Sequence, residues 1–172
     1  MDTLTPEHRS WVMSRIHSKD TKPELVVRSW LHRRGYRFRL HVKTLPGHPD
    51  IVLPKYRALV EVRGCFWHRH PGCKTATTPS SHKRFWKDKF RRNVARDRLH
   101  EEEWRALGWH VFVIWECELA PRRREATLLA LDAGLAALAP DREQEVAYAA
   151  PDPDAALPLA ADAPAPEDAY KA

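Results

Sequence analysis

The 172-residue sequence predicts an α/β fold: a mixed central sheet flanked by helices, with a structural zinc site. Three observations predict it. Helical and strand periodicities alternate along the chain, which is the pattern of an α/β domain. Two adjacent apolar strands carry acids, Asp50 on one and Glu61 on the other. The nine positions from Cys65 to Cys73 pack two thiols, two imidazoles and two large aromatics together, a mixture that no plain apolar core requires.

Taken in order, residues 1–21 read as a basic N-terminal arm carrying His8, Arg9, Arg15, His17 and Lys19, with Trp11, Met13 and Ile16 as its apolar anchors. Asp20 or Thr21 is placed to N-cap a helix, Pro23 suits its first turn, and Glu24 complements the dipole there. Leu25, Val26, Ser29, Trp30 and Leu31 keep the helical period and Gly35 is a natural residue to follow the last turn, so the spacing predicts a helix over 22–34. Tyr36, Phe38, Leu40 and Val42 alternate with Arg37, Arg39 and His41, the pattern of a half-buried strand. After the turn Leu45-Pro46-Gly47-His48-Pro49, Asp50 leads into a buried strand ending at Leu53. Residues 54–57 make a short hairpin connection into Ala58–Arg63, where a period of two puts Glu61 and Arg63 on one face and Val62 on the other.

Residues 74–82 are a Thr/Ser/Pro loop. Phe85, Trp86, Phe90, Val94, Leu99, Trp104 and Leu107 then space out one long amphipathic helix over 83–107, stopped by Gly108. Trp109–Trp115 is β-rich and expected as a central strand, with Trp104, Trp109 and Trp115 in the core. A final helix with an Ala/Leu face spans 122–138. The folded domain is expected over 22–139, and the Ala/Pro/Asp-rich residues 140–172 are expected to be a disordered acidic tail, too poor in apolar surface to offset the entropy of ordering.

Charge narrows the partners. The chain carries +6, but residues 140–172 hold eight acids against Arg142 and Lys171, a net −6, which leaves +12 on residues 1–139. An excess of that size beside so many aromatics favours nucleic acid over a merely solvated cationic surface. There is no run of eighteen apolar residues and the first ten residues are polar, so neither a membrane span nor a signal peptide is indicated and a cytoplasmic protein is expected. Three cysteines, an odd number, argue against a disulfide framework and towards metal or catalysis.

Two metal sites follow from the residue types. Cys65, His70, Cys73 and the distant Cys117 make a three-sulfur, one-nitrogen set of the kind structural zinc prefers, closed at four ligands; His68 is the alternative histidine. Asp50 and Glu61 meeting at one sheet edge repel unless a cation sits between them, and hard oxygen ligands suit Mg²⁺. Such an ion can activate water and stabilise a phosphodiester transition state, with Arg63 assisting the same charge. His68, held beside those carboxylates by a metal loop, is a candidate general base. Phe66 and Trp67 follow a zinc ligand directly and either wedge into a duplex or lie in the core.

Residues 12–119 resemble the very short patch repair (Vsr) endonucleases, which share the PD-(D/E)xK restriction-endonuclease-like fold. The resemblance is carried by Met13-Ser14-Arg15-Ile16, Asp20-Thr21, Glu24, Leu45-Pro46-Gly47-His48-Pro49-Asp50, Gly64-Cys65-Phe66-Trp67-His68, Phe85-Trp86, Asn93-Val94, Arg96-Asp97 and Trp115-Glu116-Cys117. It implies a Mg²⁺-dependent endonuclease that nicks one strand of double-stranded DNA 5′ to the thymine of a T:G mispair, the product of 5-methylcytosine deamination. It further implies Asp50 as the metal-binding acid, His68 as the catalytic histidine and Glu24 as an assisting acid. Cys65, His70, Cys73 and Cys117 match structural zinc ligands, and Phe66, Trp67 and Trp86 match aromatics that wedge beside the mismatch, with Arg15 and Asn93 as further DNA contacts. A cytosine-5 DNA methyltransferase and mismatch-repair factors are the implied functional partners, and a monomer with no membrane attachment is expected.

The family's best-known member has no acid at the place of Glu61. It uses a main-chain carbonyl, here that of Val62, and a histidine at the place of Arg63. The Glu61-x-Arg63 pair therefore stands closer to the general nuclease pattern, and it keeps open a restriction or defence nuclease that reads sequence or modified bases. A zinc-stapled DNA-binding module without catalysis is the non-enzymatic alternative.

Overall fold

The computed structural model describes residues 19–138 together with His8 and Trp11. The tail, and Met13, Arg15 and Ile16 of the arm, lie outside the described residues. Thr21 caps the first helix, α1 (Lys22–Arg33): its side chain accepts from the Glu24 N–H, and Pro23 sits in the first turn. Gly35 follows at φ +86°, a conformation that costs a residue without Cβ little. The chain continues through β1 (Arg39–Leu40), β2 (Ile51–Leu53), a 3₁₀ turn at Pro54–Tyr56 and β3 (Ala58–Arg63). A single helical turn, α2 (Cys65–His68), and a loop lead to the long α3 (Lys83–Ala106), followed by β4 (His110–Trp115), a 3₁₀ turn at Glu116–Leu119 and α4 (Arg124–Ala136).

The sheet is mixed, in the order β1-β2-β3-β4. β1, β2 and β3 pair antiparallel; β3 and β4 pair in parallel from Ala58 opposite His110 to Arg63 opposite Trp115. Parallel neighbours need a long crossover, and here it runs through α2 and α3. The alternation along β3 divides the interior. Ala58, Val60 and Val62 join Val27 and Leu31 of α1 and Leu128, Leu131 and Leu135 of α4 on one face. Leu59 packs with Val52, Leu45, Trp104 and Trp109 on the other, beneath α3. Glu61 and Arg63 share that second face, as the period of two requires.

Trp104 anchors the second face. It is 1 % exposed, and its indole N–H donates to the Pro46 carbonyl at 2.8 Å. Trp104→Ala is expected to cost about 3–5 kcal/mol, seen as a lower urea midpoint; an unchanged midpoint would contradict its place at the centre of this layer.

Three expectations are corrected. Only Arg39 and Leu40 of the strand expected over 36–42 pair with β2, and Leu40 is 41 % exposed. Tyr36 is instead drawn onto α4, where its hydroxyl donates to Asp132 Oδ1 at 2.7 Å, and His41 at φ 47° turns the chain away. Next, β4 is not central: among the described residues it closes one end of the sheet. Its apolar composition comes from helix cover, since α4 lies so close that a Cβ on Gly134 would stand 2.6 Å from Phe112. Finally, Trp104 and Trp109 are buried, but Trp115 is half-exposed and lies against the His70 ring at 4.3 Å.

Candidate functional site

The register brings Asp50 opposite Glu61, one step beyond the last β2–β3 pair, Ile51 with Val60. The next residue of the approaching strand is Pro49, which has no N–H to continue the ladder. Side chains take over. The Asp50 carboxylate accepts from the Val62 N–H at 2.9 Å, and Glu61 Oε1 accepts from the Asp50 N–H at 3.2 Å. In an extended strand a residue's N–H and C=O leave from the same edge, so the Val62 carbonyl projects on the Asp50 side. Two carboxylates and a carbonyl at one edge are a hard-oxygen donor set of the type Mg²⁺ takes. Burial pushes Asp50 up to about 6. Burial, and then the charge of Asp50, push Glu61 up to about 8. The pair resists double ionisation, and a divalent cation would remove that resistance.

His68 ends α2, beside those acids. Its Nδ1 lies 2.7 Å from Asp97 Oδ2, on α3. Burial alone would raise Asp97, but the hydrogen bond with His68 and the charges around it hold the carboxyl below its ordinary value. With Nδ1–H given to Asp97, the tautomer assigned by that bond puts the lone pair on Nε2 of a half-exposed ring. Carboxylate-oriented imidazoles of this kind serve as general bases.

Arg63 is buried, 6 % exposed. Its Nη1 donates to Glu101 Oε1 at 2.6 Å, and the other Glu101 oxygen accepts from Arg105 at 2.7 Å. Burial opposes ionisation of Glu101, yet the bonds from Arg105 and Arg63 hold its carboxyl below the usual range. Glu24 is likewise committed. It is 2 % exposed; Oε1 accepts from the Thr21 hydroxyl at 2.8 Å, and Oε2 from the Asp20 N–H at 3.0 Å and Arg28 Nη2 at 2.7 Å. Asp20, Glu24 and His41 gather donors within 4.8 Å of one another, but the cation among them is Arg28, which pairs with both acids and reaches His41 Nε2 at 3.0 Å. Glu24 thus acts on Asp50 through its charge, together with Arg28 and His68.

The Cys/His cluster assembles at the same end of the sheet. The donor atoms of Cys65, His70, Cys73 and Cys117 all lie within 4.8 Å of one another. A tetrahedral site with Zn–S bonds of about 2.3 Å separates its donors by roughly 3.8 Å, so small shifts would close it on an ion. His70, not His68, occupies the histidine position, with Nε2 3.5 Å from Cys117 Sγ. The sulfurs are unequal: the Thr75 hydroxyl lowers Cys73 to about 6, whereas burial and then Cys65 raise Cys117 to about 12. A bound divalent ion would favour all of them as thiolates.

Beside this cluster the aromatics pack on one another. Phe66 meets Trp67, Trp86 and Phe90 with ring centroids 4.9, 5.4 and 5.3 Å apart. Phe66 and Trp67 are half-exposed at the loop. Two expected DNA contacts do not face solvent. Trp86 is 8 % exposed inside the aromatic group, and Asn93, 7 % exposed, donates to the Trp67 carbonyl at 3.0 Å. Asn93 therefore positions the residue beside it in space rather than offering its amide outward. The exposed side of α3 carries Lys83, Arg84, Lys87, Arg91, Arg92, Arg96 and Arg98.

Sequence reasoning missed Glu101 and Arg28, and it named Asp97 only among the residues that carry the family resemblance, without a role. Asn93, Asp97 and Glu101 stand at i, i+4 and i+8 on α3, one inward stripe that grips Trp67, His68 and Arg63 in turn. The available signal was a polar interruption of the apolar series between Phe90 and Trp104, masked by the many charges around it.

Comparisons with known proteins agree on one family. The family model described as DNA mismatch endonuclease Vsr matches residues 1–74. A type II nicking enzyme of Xanthomonas oryzae pv. oryzae, V.XorIIP, is 50 % identical over 119 residues, covering 69 % of this chain and 87 % of that protein. The type II nicking enzyme V.NmeAIP of Neisseria meningitidis is 46 % identical over 118 residues, 69 % of this chain and 84 % of its own. The DNA mismatch endonuclease Vsr of Escherichia coli is 39 % identical over 116 residues, 67 % of this chain and 74 % of its own. The chain belongs to the Vsr family of DNA mismatch endonucleases.

Proposed function

We propose that this chain nicks one strand of duplex DNA 5′ to the thymine of a T:G mispair, by Mg²⁺-dependent hydrolysis of a phosphodiester. The observation that carries the reading is the Asp50–Glu61 carboxylate pair set beside the His68–Asp97 dyad. Mg²⁺, held by Asp50, Glu61 and the Val62 carbonyl, would supply charge neutralisation and a more acidic water. His68 Nε2 takes the proton of the attacking water, and Asp97 stabilises the imidazolium that forms. As the new P–O bond forms, the bond to the leaving 3′-oxygen of the sugar breaks, and that oxygen takes up a proton from solvent water. Arg63 cannot act as a base, because a guanidinium keeps its proton, so its part is electrostatic.

Zinc is the ion proposed for Cys65, His70, Cys73 and Cys117; three thiolates and an imidazole, with no open position, make it structural. Phe66 and Trp67 are the wedge residues proposed for the mispaired step, where unstacking costs least. The basic face of α3 and the arm with Arg15 supply phosphate contacts. The relatives named as type II nicking enzymes support single-strand cutting. The deciding assay uses strand-labelled T:G and matched duplexes with Mg²⁺. A nick on the thymine strand of the mismatched duplex alone is expected. Equal cutting of both duplexes would remove the mismatch reading, and double-strand cuts on matched DNA would favour a restriction role.

A further inference from the structure

Arg63 has a place in the proposed reaction; how its guanidinium is aimed is a separate matter. Nη1 is taken by Glu101, which Arg105 braces from the other side. Nε and Nη2 of Arg63 are both buried and have no acceptor. The other two buried arginine sites of this kind, Arg28 and Arg57, each leave Nε alone unpartnered among the described residues. Arg63 therefore has one whole edge of its guanidinium unpaired. The Nε–Nη2 edge is a fork whose two parallel N–H groups match two oxygens of a phosphate. Beyond Glu101, the acids on which its charge acts have partners of their own, Asp97 with His68 and Glu61 with the Asp50 N–H. Trp115, with its ring centroid 5.9 Å from the guanidinium carbon, lies across the group.

We propose that Glu101 is a positioning residue, holding Arg63 so that its unpaired Nε–Nη2 fork receives the non-bridging oxygens of the scissile phosphodiester. This rests on the nuclease reading above. The fork lies beneath the surface without an acceptor, so its N–H groups report the arrival of a phosphate directly.

Single-turnover nicking and NMR of the full chain test it. Glu101→Ala is expected to slow nicking about 10- to 100-fold with duplex affinity held within about threefold, the signature of misplaced geometry rather than lost binding. Glu101→Gln, which keeps an oxygen for Nη1, is expected to recover most of the rate. In an Arg63→Lys background, Glu101→Ala is expected to add less than about twofold, because the two residues act as one unit. The Arg63 Nε–H signal, assigned by its loss in Arg63→Lys, is expected to move when T:G duplex is added with Ca²⁺, and to stay put in Glu101→Ala. A stationary signal in the native chain, or native nicking by Glu101→Ala, would overturn the proposal. A signal that moves in a native chain that nicks neither duplex would sustain the phosphate fork and sink the nuclease reading.

Discussion

Asp50→Asn is expected to lower single-turnover nicking by about 10³-fold or more, which corresponds to roughly 4 kcal/mol of lost transition-state stabilisation. The substitution is close to isosteric, and an amide oxygen can still accept from the Val62 N–H, so the strand edge keeps its shape. What goes is the charge. DNA affinity and thermal stability should therefore stay near the native values while the rate collapses; a variant that nicks at the native rate would remove Asp50 from the metal site. Glu61 adds a pH dependence. Its carboxyl is pushed up to about 8 by burial and by Asp50, and only the ionised form coordinates a cation. The Mg²⁺ concentration for half-maximal nicking should fall as pH rises from about 6 to about 8. Glu61→Gln should flatten that dependence, and a flat profile in the native chain would show that Glu61 does not take the metal.

Removing the ion from the Cys/His cluster is expected to have the largest effect on stability. Purified protein should carry one equivalent of zinc by atomic absorption. Stripping it, or replacing Cys117 by Ala, should lower stability by about 3–5 kcal/mol and the melting temperature by roughly 10–20 °C. Nicking should fail in the same variant, because His68 lies between two of the ligands in sequence and inherits its place from the loop. Metal-free protein with a native melting curve would leave the four residues as an ordinary packed cluster.

These sites were legible to different degrees. Rare, chemically committed residues announced themselves: three cysteines in the whole chain, and acids in otherwise apolar strands. Local pattern also placed α1, β3 and α3 nearly to the residue, since caps, glycines and a period of two leave little choice. Glu101, and the role of Asp97, were hidden because α3 is charged on nearly every turn, and an inward acid looks like a solvated one until the sheet beneath is known. The commitment of Arg63 to Glu101 was invisible for the same reason, as the partners are 38 residues apart. The position of β4 was misjudged because a strand covered by helices has the same Val/Ile/Trp composition as one flanked by strands. The resemblance matched Trp86 and Asn93 to DNA contacts but carried no side-chain direction, and on α3 both are buried.

The cluster joins the ends of two strands that the chain keeps far apart. Cys65, His70 and Cys73 follow β3, and Cys117 follows β4, its parallel neighbour. An ion across them closes a loop of about 50 residues, and cross-linking a loop of that length removes about 4 kcal/mol of conformational entropy from the unfolded chain. Parallel pairing is the slow, non-local step in assembling a sheet of this kind. Metal loading would therefore also act on the folding route: with the loop already closed, β3 and β4 meet as near neighbours, and the search for their register becomes a local one.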